Sequence, residues 1–389
     1  MLYSFAVHFS KMTSVSVLTA MLLVSCSENV PPSAEPDQSA SVLRTRLMTG
    51  EQYGNTIAQI FGEDIRNSVL PPIPPMARTD GLLASGSAFV GVTSDQISQI
   101  QQTAAFIAAK VVDEEHRDFL VPCRPESIDE PDPNCAGLFL RETGRLLQRQ
   151  AVDDIRLSEL VDIAAYAAEQ TEDFYAGLAL ALESMLISPE FIFIVDHSEA
   201  DPNQIGQERL TGHSLASRLS FFLWNGPPDI ALLEAAESGE LHTTSGLNVA
   251  VERMLDSVRL EGGMRAFFDD MLGFDEFNSL AKDPLVYPMV TGSTLRDARE
   301  QTLRTIINHL LHDNQDYRDL FVTRKTFMSP SLAVVYGTAS HQGWVAHTFP
   351  EDSPRQGLLT QVSFLAANSH AVRSSPTLRG QALRERFLC

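Results

Sequence analysis

The chain has 389 residues, 44% hydrophobic, 20% charged and 8% aromatic, which excludes a disordered polyelectrolyte, a collagen-like fibre and a small disulfide-stapled peptide. Asp and Glu number 50 against 29 Lys and Arg, a formal net charge of −21. A field of that sign repels nucleic acid and anionic lipid surfaces, so no nucleic-acid partner is expected.

Residues 1–25 have the pattern of a targeting segment. Lys11 is their only formal charge, and Val15 to Val24 form an apolar run too short to cross a bilayer. The run ends Leu22-Leu23-Val24-Ser25-Cys26, which resembles the lipobox of a bacterial lipoprotein signal. In that class the cysteine, here Cys26, becomes the mature N-terminus and carries the lipid, and several acyl chains on one residue give stable anchoring. The expected location is therefore exported and lipid-anchored, in the periplasm or at the cell surface, with the outer membrane as anchoring surface. Residues 26–41, polar and rich in Pro and Ser, read as a tether.

From residue 42 the apolar residues recur mostly at three and four, the helical period. Residues 43–61 are predicted as one helical stretch with Thr49 as N-cap of its second part, ended by the Pro71-Pro72-Ile73-Pro74-Pro75 run. Thr93 or Ser94 caps a helix to about Val112. Residues 137–150 and 157–195 supply three more, the last ending near Pro189, and the FIFIV run after it is at most a short strand. The polar stretch 196–207 marks a domain boundary. Thr211 caps a helix whose Leu215, Leu219, Phe222 and Leu223 share a face, stopped at Asn225 to Asp229. Further helices are predicted at 229–238, 246–257, 260–272, 293–313, 317–322, 329–336 and 355–368. No strand–helix alternation appears, so the expected fold is mainly α and multi-helical. Two packed helical domains are expected after the signal, at 42–197 and 205–340, followed by a C-terminal segment at 341–389.

An oxidising compartment changes the reading of the cysteines. Cys123 and Cys135 flank a Pro- and acid-rich loop, and a bridge across it adds roughly 3 kcal/mol in the chain-entropy treatment. Zinc would need a second Cys pair or a His within ligand spacing, and neither is present, so a disulfide is expected. Cys389, the last residue, is left unpaired.

The nucleotide-binding glycine motifs, HExxH, GxSxG and the haem-attachment CxxCH are all absent. His309 and His312 lie three apart near Asp313 and Asp316 and are the available metal candidates, given a third ligand from elsewhere. The same place in a last helical turn suits imidazoles that complement the helix dipole, and no metal is expected. Asp196, Glu199, Asp201 and Asn203 are spaced somewhat as in a calcium loop. Ile205 occupies a ligand position, however, and no Glu closes the pattern, so a solvated linker is expected. His341 and His347 flank Trp344 in a segment read as a loop, with the Trp anchoring it to the core. Arg218 falls in an apolar helix, and Arg373, Arg379 and Arg384 follow His370. Structural ion pairs and an anion site both account for them.

Four segments carry a resemblance. Arg46 to Ile57 (RLMTGEQYGNTI) is similar to the opening block of one domain family of unknown function. Ser217 to Asn225 (SRLSFFLWN), with Pro228, Asp229, Leu232 and Leu233, resembles the central block of its partner domain. Thr326 to Pro330, with Leu332, Ala333, Tyr336 and Gly337, resembles a third block. Arg355 to Gln361, with Ser374 to Pro376, Arg379 and Gly380, resembles a fourth. These are the uncharacterised domains that accompany planctomycete-type cytochrome c domains in planctomycetes and myxobacteria. The resemblance spans about residues 43–389. It implies a scaffold or substrate-facing helical part of a haem-linked redox or extracellular degradation system, with a cytochrome c as partner. It brings no catalytic residues. In that family the chain continues into a proline-rich stretch and a CxxCH segment, so c-type haem is expected only in that C-terminal region, no cofactor in this chain, and a truncated product here. The alternative from another class is a cell-surface module that binds a polysaccharide without catalysis.

Overall fold

The computed structural model describes residues 43–68, 73, 76–79 and 81–388. The signal segment, the tether with Cys26, the prolines at 71, 72, 74 and 75, and Cys389 lie outside the described residues.

The chain is mainly α, as its periodicity requires. Helix α1 (Gly50–Phe61) starts at Thr49, whose hydroxyl accepts from the Gln52 N–H while Gln52 Oε1 accepts from the Thr49 N–H. This reciprocal box satisfies two donors that a helix start leaves unpaired. Helix α2 (Ser94–Val111) uses the same device with Thr93 and Gln96. Helix α3 (Pro133–Gln148) opens with Asp132 as cap and proline at its first position, where no N–H is needed. Asp153 and Asp173 cap α4 (Asp154–Thr171) and α5 (Phe174–Leu186). Their apolar faces close one core around Tyr53 and Phe191, whose rings meet edge to face at 5.4 Å. Helices α4 and α5 touch at Gly177, where a Cβ would fall on Ala164 O.

Residues 43–48 are not helical. Strand β1 (Thr45–Leu47) pairs antiparallel with β2 (Phe193–Val195), Arg46 opposite Ile194. The FIFIV run thus finds its partner some 150 residues upstream, a pairing that no local pattern reveals. Arg149 ends α3 in the left-handed conformation, φ 61°. Its buried guanidinium donates to the carbonyls of Glu190, Phe191 and Phe193 at 2.5, 3.2 and 2.7 Å, tying α3 to the β2 approach.

The polar stretch 196–207 contains a hairpin, β3 (Ser198–Ala200) with β4 (Glu208–Leu210). Glu199 faces Arg209 across it, with Arg209 Nε 2.7 Å from Oε1, and Asp196 receives Arg218 at 2.6 Å. These acids are therefore taken up by arginines, and Arg218 is a structural ion-pair residue. Helices α6 (Gly212–Leu223), α7 (Ile230–Glu237), α8 (Thr244–Leu255), α9 (Arg259–Leu272) and α10 (Gly292–Ile307) follow near the predicted places. The 293–313 stretch is interrupted, because α10 gives way to a π turn at Asn308–His312. Hairpin β5 (Lys325–Met328) with β6 (Val345–Thr348) brackets α11 (Pro330–Tyr336), so His347 stands on a strand. Residues 355–368 are not one helix. Gly357 takes φ 64°, and only a 3-10 turn at Leu358–Thr360 precedes α12 (Val362–Ala367). Helix α13 (Pro376–Leu383) is the last helix before a final π turn at Arg384–Leu388. Among the described residues no helix is long and apolar enough to cross a membrane.

Candidate functional site

The four sequence blocks meet in pairs. Asn55 Nδ2 of the first donates to the carbonyl of Asn225 in the second at 2.9 Å, and Gln59 Nε2 reaches Pro228 O at 3.2 Å. Trp224 is buried there, its Nε1 bonded to Met254 O, with Arg259 over its ring at 4.1 Å. The third and fourth blocks meet on α10.

Beneath that second meeting point is a chain of buried hydroxyls and amides. Thr302 Oγ1 lies 2.6 Å from Gln361 Oε1 and 2.5 Å from Ser363 Oγ, and Gln361 Nε2 reaches Thr305 and Thr326 at 3.4 and 3.3 Å. The Thr305 and Thr326 hydroxyls are 3.0 Å apart. Gln301, fully buried, donates to Phe327 O at 2.8 Å and accepts from the Tyr336 hydroxyl, which burial pushes up to about 12. A polar network this deep holds one geometry, because any rotation would leave a buried group unpaired.

The network forms the floor of a cavity of about 320 Å³ between the π turn and the β5–β6 hairpin. Thr305, Thr326, Asn308, His309, Asp313 and His347 line it, with Lys325 at 3.2 Å from Asp313. His309 is buried and its Nε2 lies 2.9 Å from the carbonyl of Asp316. A carbonyl only accepts, so Nε2 carries a proton and donates. His347 Nε2 is buried without a hydrogen-bond partner. A rigid polar floor under hydrogen-bonding walls fits a hydroxyl-bearing ligand.

His312 is exposed while His309 is buried. A π turn advances fewer degrees per residue than an α turn, so residues three apart do not share a face there. Among the described residues the one group close enough to hold a metal is Asp113, Glu115 and His116. His116 is already clasped, Nδ1 2.6 Å from Asp113 and Nε2 2.7 Å from Asp64. Trp344 packs against the core beside Met328 and Leu332, with Arg304 over its ring at 4.9 Å. Arg373 and Arg384 are exposed. Cys123 and Cys135 form the expected disulfide, Cα–Cα 5.6 Å.

Sequence reading missed Gln301, Thr302, Thr305 and Gln361. The available signal was that α10 places hydroxyls and amides where its period calls for apolar residues.

No curated protein and no solved structure matches the chain. A family profile described as PSD4, protein of unknown function (DUF1592), matches residues 210–338. That span holds the second and third blocks, α6 to α11, and most of the cavity wall. The chain thus carries a domain of this uncharacterised family between Leu210 and Thr338.

Proposed function

We propose that this protein is exported and anchored at the outer membrane through a lipid on Cys26. Its helical body would then be the substrate-facing part of an extracellular degradation or haem-linked redox system. On this reading the hairpin cavity takes a polar, hydroxyl-rich ligand, a polysaccharide segment being the class that its donors and acceptors suit. The observation that carries the reading is the cavity itself, with the unpartnered His347 Nε2 over a fully bonded floor. The Cys123–Cys135 bridge supports an oxidising compartment. No CxxCH occurs in residues 1–389, so on the redox reading c-type haem would come from a partner cytochrome c.

The test is retention of the full chain on a panel of immobilised polysaccharides, beside His347→Ala. Retention of the wild type that falls several-fold in the variant is expected, and no retention on any polymer would remove the binding assignment. Membrane fractionation of the Cys26→Ala precursor tests the anchor separately.

A further inference from the structure

Two loops are fastened to each other. The first, Pro284 to Met289, lies between α9 and α10, and the second, His370 to Arg373, joins α12 to α13. Lys282 Nζ donates to the carbonyls of Ser369 and His370 at 3.0 and 3.2 Å, and the Asp283 N–H donates to Ala371 O at 3.0 Å. Each loop is also closed on itself. The Leu285 N–H meets Asp283 Oδ1 at 2.8 Å, the Val286 and Tyr287 N–H groups meet Asp283 O at 3.1 and 2.8 Å, and the His370 N–H meets Arg373 O at 3.0 Å. Pro284 and Pro288 fix two more backbone angles.

This braced support holds apolar side chains outward. Leu285 is 92% exposed, Met289 58%, Val372 51% and Val286 48%. Leu280 and Val290, on either side of the first loop, pack into the core around Phe277 and Leu295, so the base of the loop is buried and its tip is not. An exposed apolar patch marks a contact surface, and a tip already held in one conformation gives up little entropy on docking.

The charge beside the tip is the reverse of the chain's. Residues 369–388 contain four arginines against one glutamate, a formal +3 within a chain of −21. Arg386 is engaged with Leu272 O. Among the described residues the side chains of Arg373, Arg379 and Arg384 have no ion pair or hydrogen bond. Arginines elsewhere in this half do meet carboxylates, Arg253 on Asp229 and Arg304 on Glu300, each at 2.6 Å. At the tip itself Lys282 and Asp283 cancel, and an Asp283 carboxylate oxygen accepts from the loop. Three free guanidiniums in so acidic a chain call for anions from outside it.

We propose that the two loops form a membrane-contact face. Leu285, Val286, Met289 and Val372 enter the interface of a bilayer while Arg373, followed by Arg379 and Arg384, meets the phosphates of anionic lipid. Apolar atoms below and guanidiniums at the headgroup level match the layering of that interface. A protein partner fits less well, because interface hot spots favour aromatic anchors and the exposed tip is aliphatic. The net charge of the chain does not prevent the contact. At physiological ionic strength charges beyond about 8 Å are screened, so the local excess of arginine selects the face that approaches. This contact requires neither a lipid on Cys26 nor the hairpin cavity.

The full chain carrying Cys26→Ala and Cys389→Ala has no acylation site and no free thiol. A polarity-sensitive thiol dye is attached at Leu285→Cys or, as control, at Val249→Cys, a 63% exposed position on α8. Vesicles of phosphatidylcholine and phosphatidylglycerol shift the emission at position 285 to the blue and leave position 249 unchanged. Vesicles of phosphatidylcholine alone require more than about tenfold more lipid for the same shift, and added salt removes the difference. In flotation of the unlabelled chain, Leu285→Asp lowers partitioning at least about tenfold and Arg373→Ala about fivefold, with melting temperatures unchanged because both positions are exposed. No blue shift at position 285, an equal response to neutral vesicles, or unaffected partitioning of Leu285→Asp would each overturn the proposal. So would a dimer that Leu285→Asp dissolves without any vesicle response, which assigns the face to a second copy of the chain.

Discussion

Replacing Cys123 and Cys135 together by alanine measures what the bridge does. The cysteines are 12 apart in sequence, and Cys135 is 5% exposed at the start of α3. A closed loop of about 13 residues removes about 10 cal/mol/K from the unfolded chain, hence about 3 kcal/mol at 25 °C. Alanine is the right replacement, because a serine hydroxyl at the buried Cys135 position would add a polar group with its own desolvation cost. The start of α3 does not depend on the bridge, since Asp132 accepts from the Asn134 and Cys135 N–H groups and Pro133 fixes the first turn. Helix content should therefore be unchanged while the melting temperature falls by about 6–12 °C, at about 2–4 °C per kcal/mol for a unit of 150–250 residues. The measurement is circular dichroism on heating, with and without a thiol reductant. Reductant should bring the wild type down to the double variant and leave the variant where it is. A drop below about 2 °C would refute the argument that the bridge acts on the unfolded loop. Two free thiols in peptide maps of the protein would refute the bridge.

Gly177→Ala places a methyl on Ala164 O, and it should cost about 1–3 kcal/mol in a urea titration, with the slope against denaturant unchanged. A neutral result would mean that α4 and α5 can separate without cost. The His116 clasp predicts a pH dependence of definite sign. Hydrogen bonds from the ring to Asp113 and Asp64 raise the His116 pKa. The bond to His116 lowers Asp64, and Asp113 also falls because bonds from His116 and Lys110 outweigh the upward push of burial. The imidazolium's contribution is complete below about pH 6.5, the unfolded value, and is lost as pH rises through the folded one. The carboxylates' contribution is lost in turn as pH falls through their own folded values. Wild type minus His116→Gln stability should therefore be larger near pH 6 than near pH 9, and a difference that grows with alkalinity would sink the clasp.

The sequence by itself determined what depends on neighbours along the chain. The caps at Thr49, Thr93 and Thr211 were legible because a hydroxyl three residues before its N–H is a local geometry. The helical period placed α4 to α9 for the same reason, and two cysteines 12 apart with no rival ligand set sufficed for the disulfide. What the tertiary structure decided are contacts between distant segments. Residues 43–48 became a strand because Phe193–Val195 supplied a ladder, and 355–368 broke at Gln361 because its amide serves Thr302, Thr305 and Thr326. Glu51 reads in sequence as an ordinary acid in a first helical turn. Only the packing of α1 against α9 and α10 sets it beside Asp269 and Arg299, because a carboxyl's chemistry follows from the charges and burial around it, and those come from residues some 200 positions away.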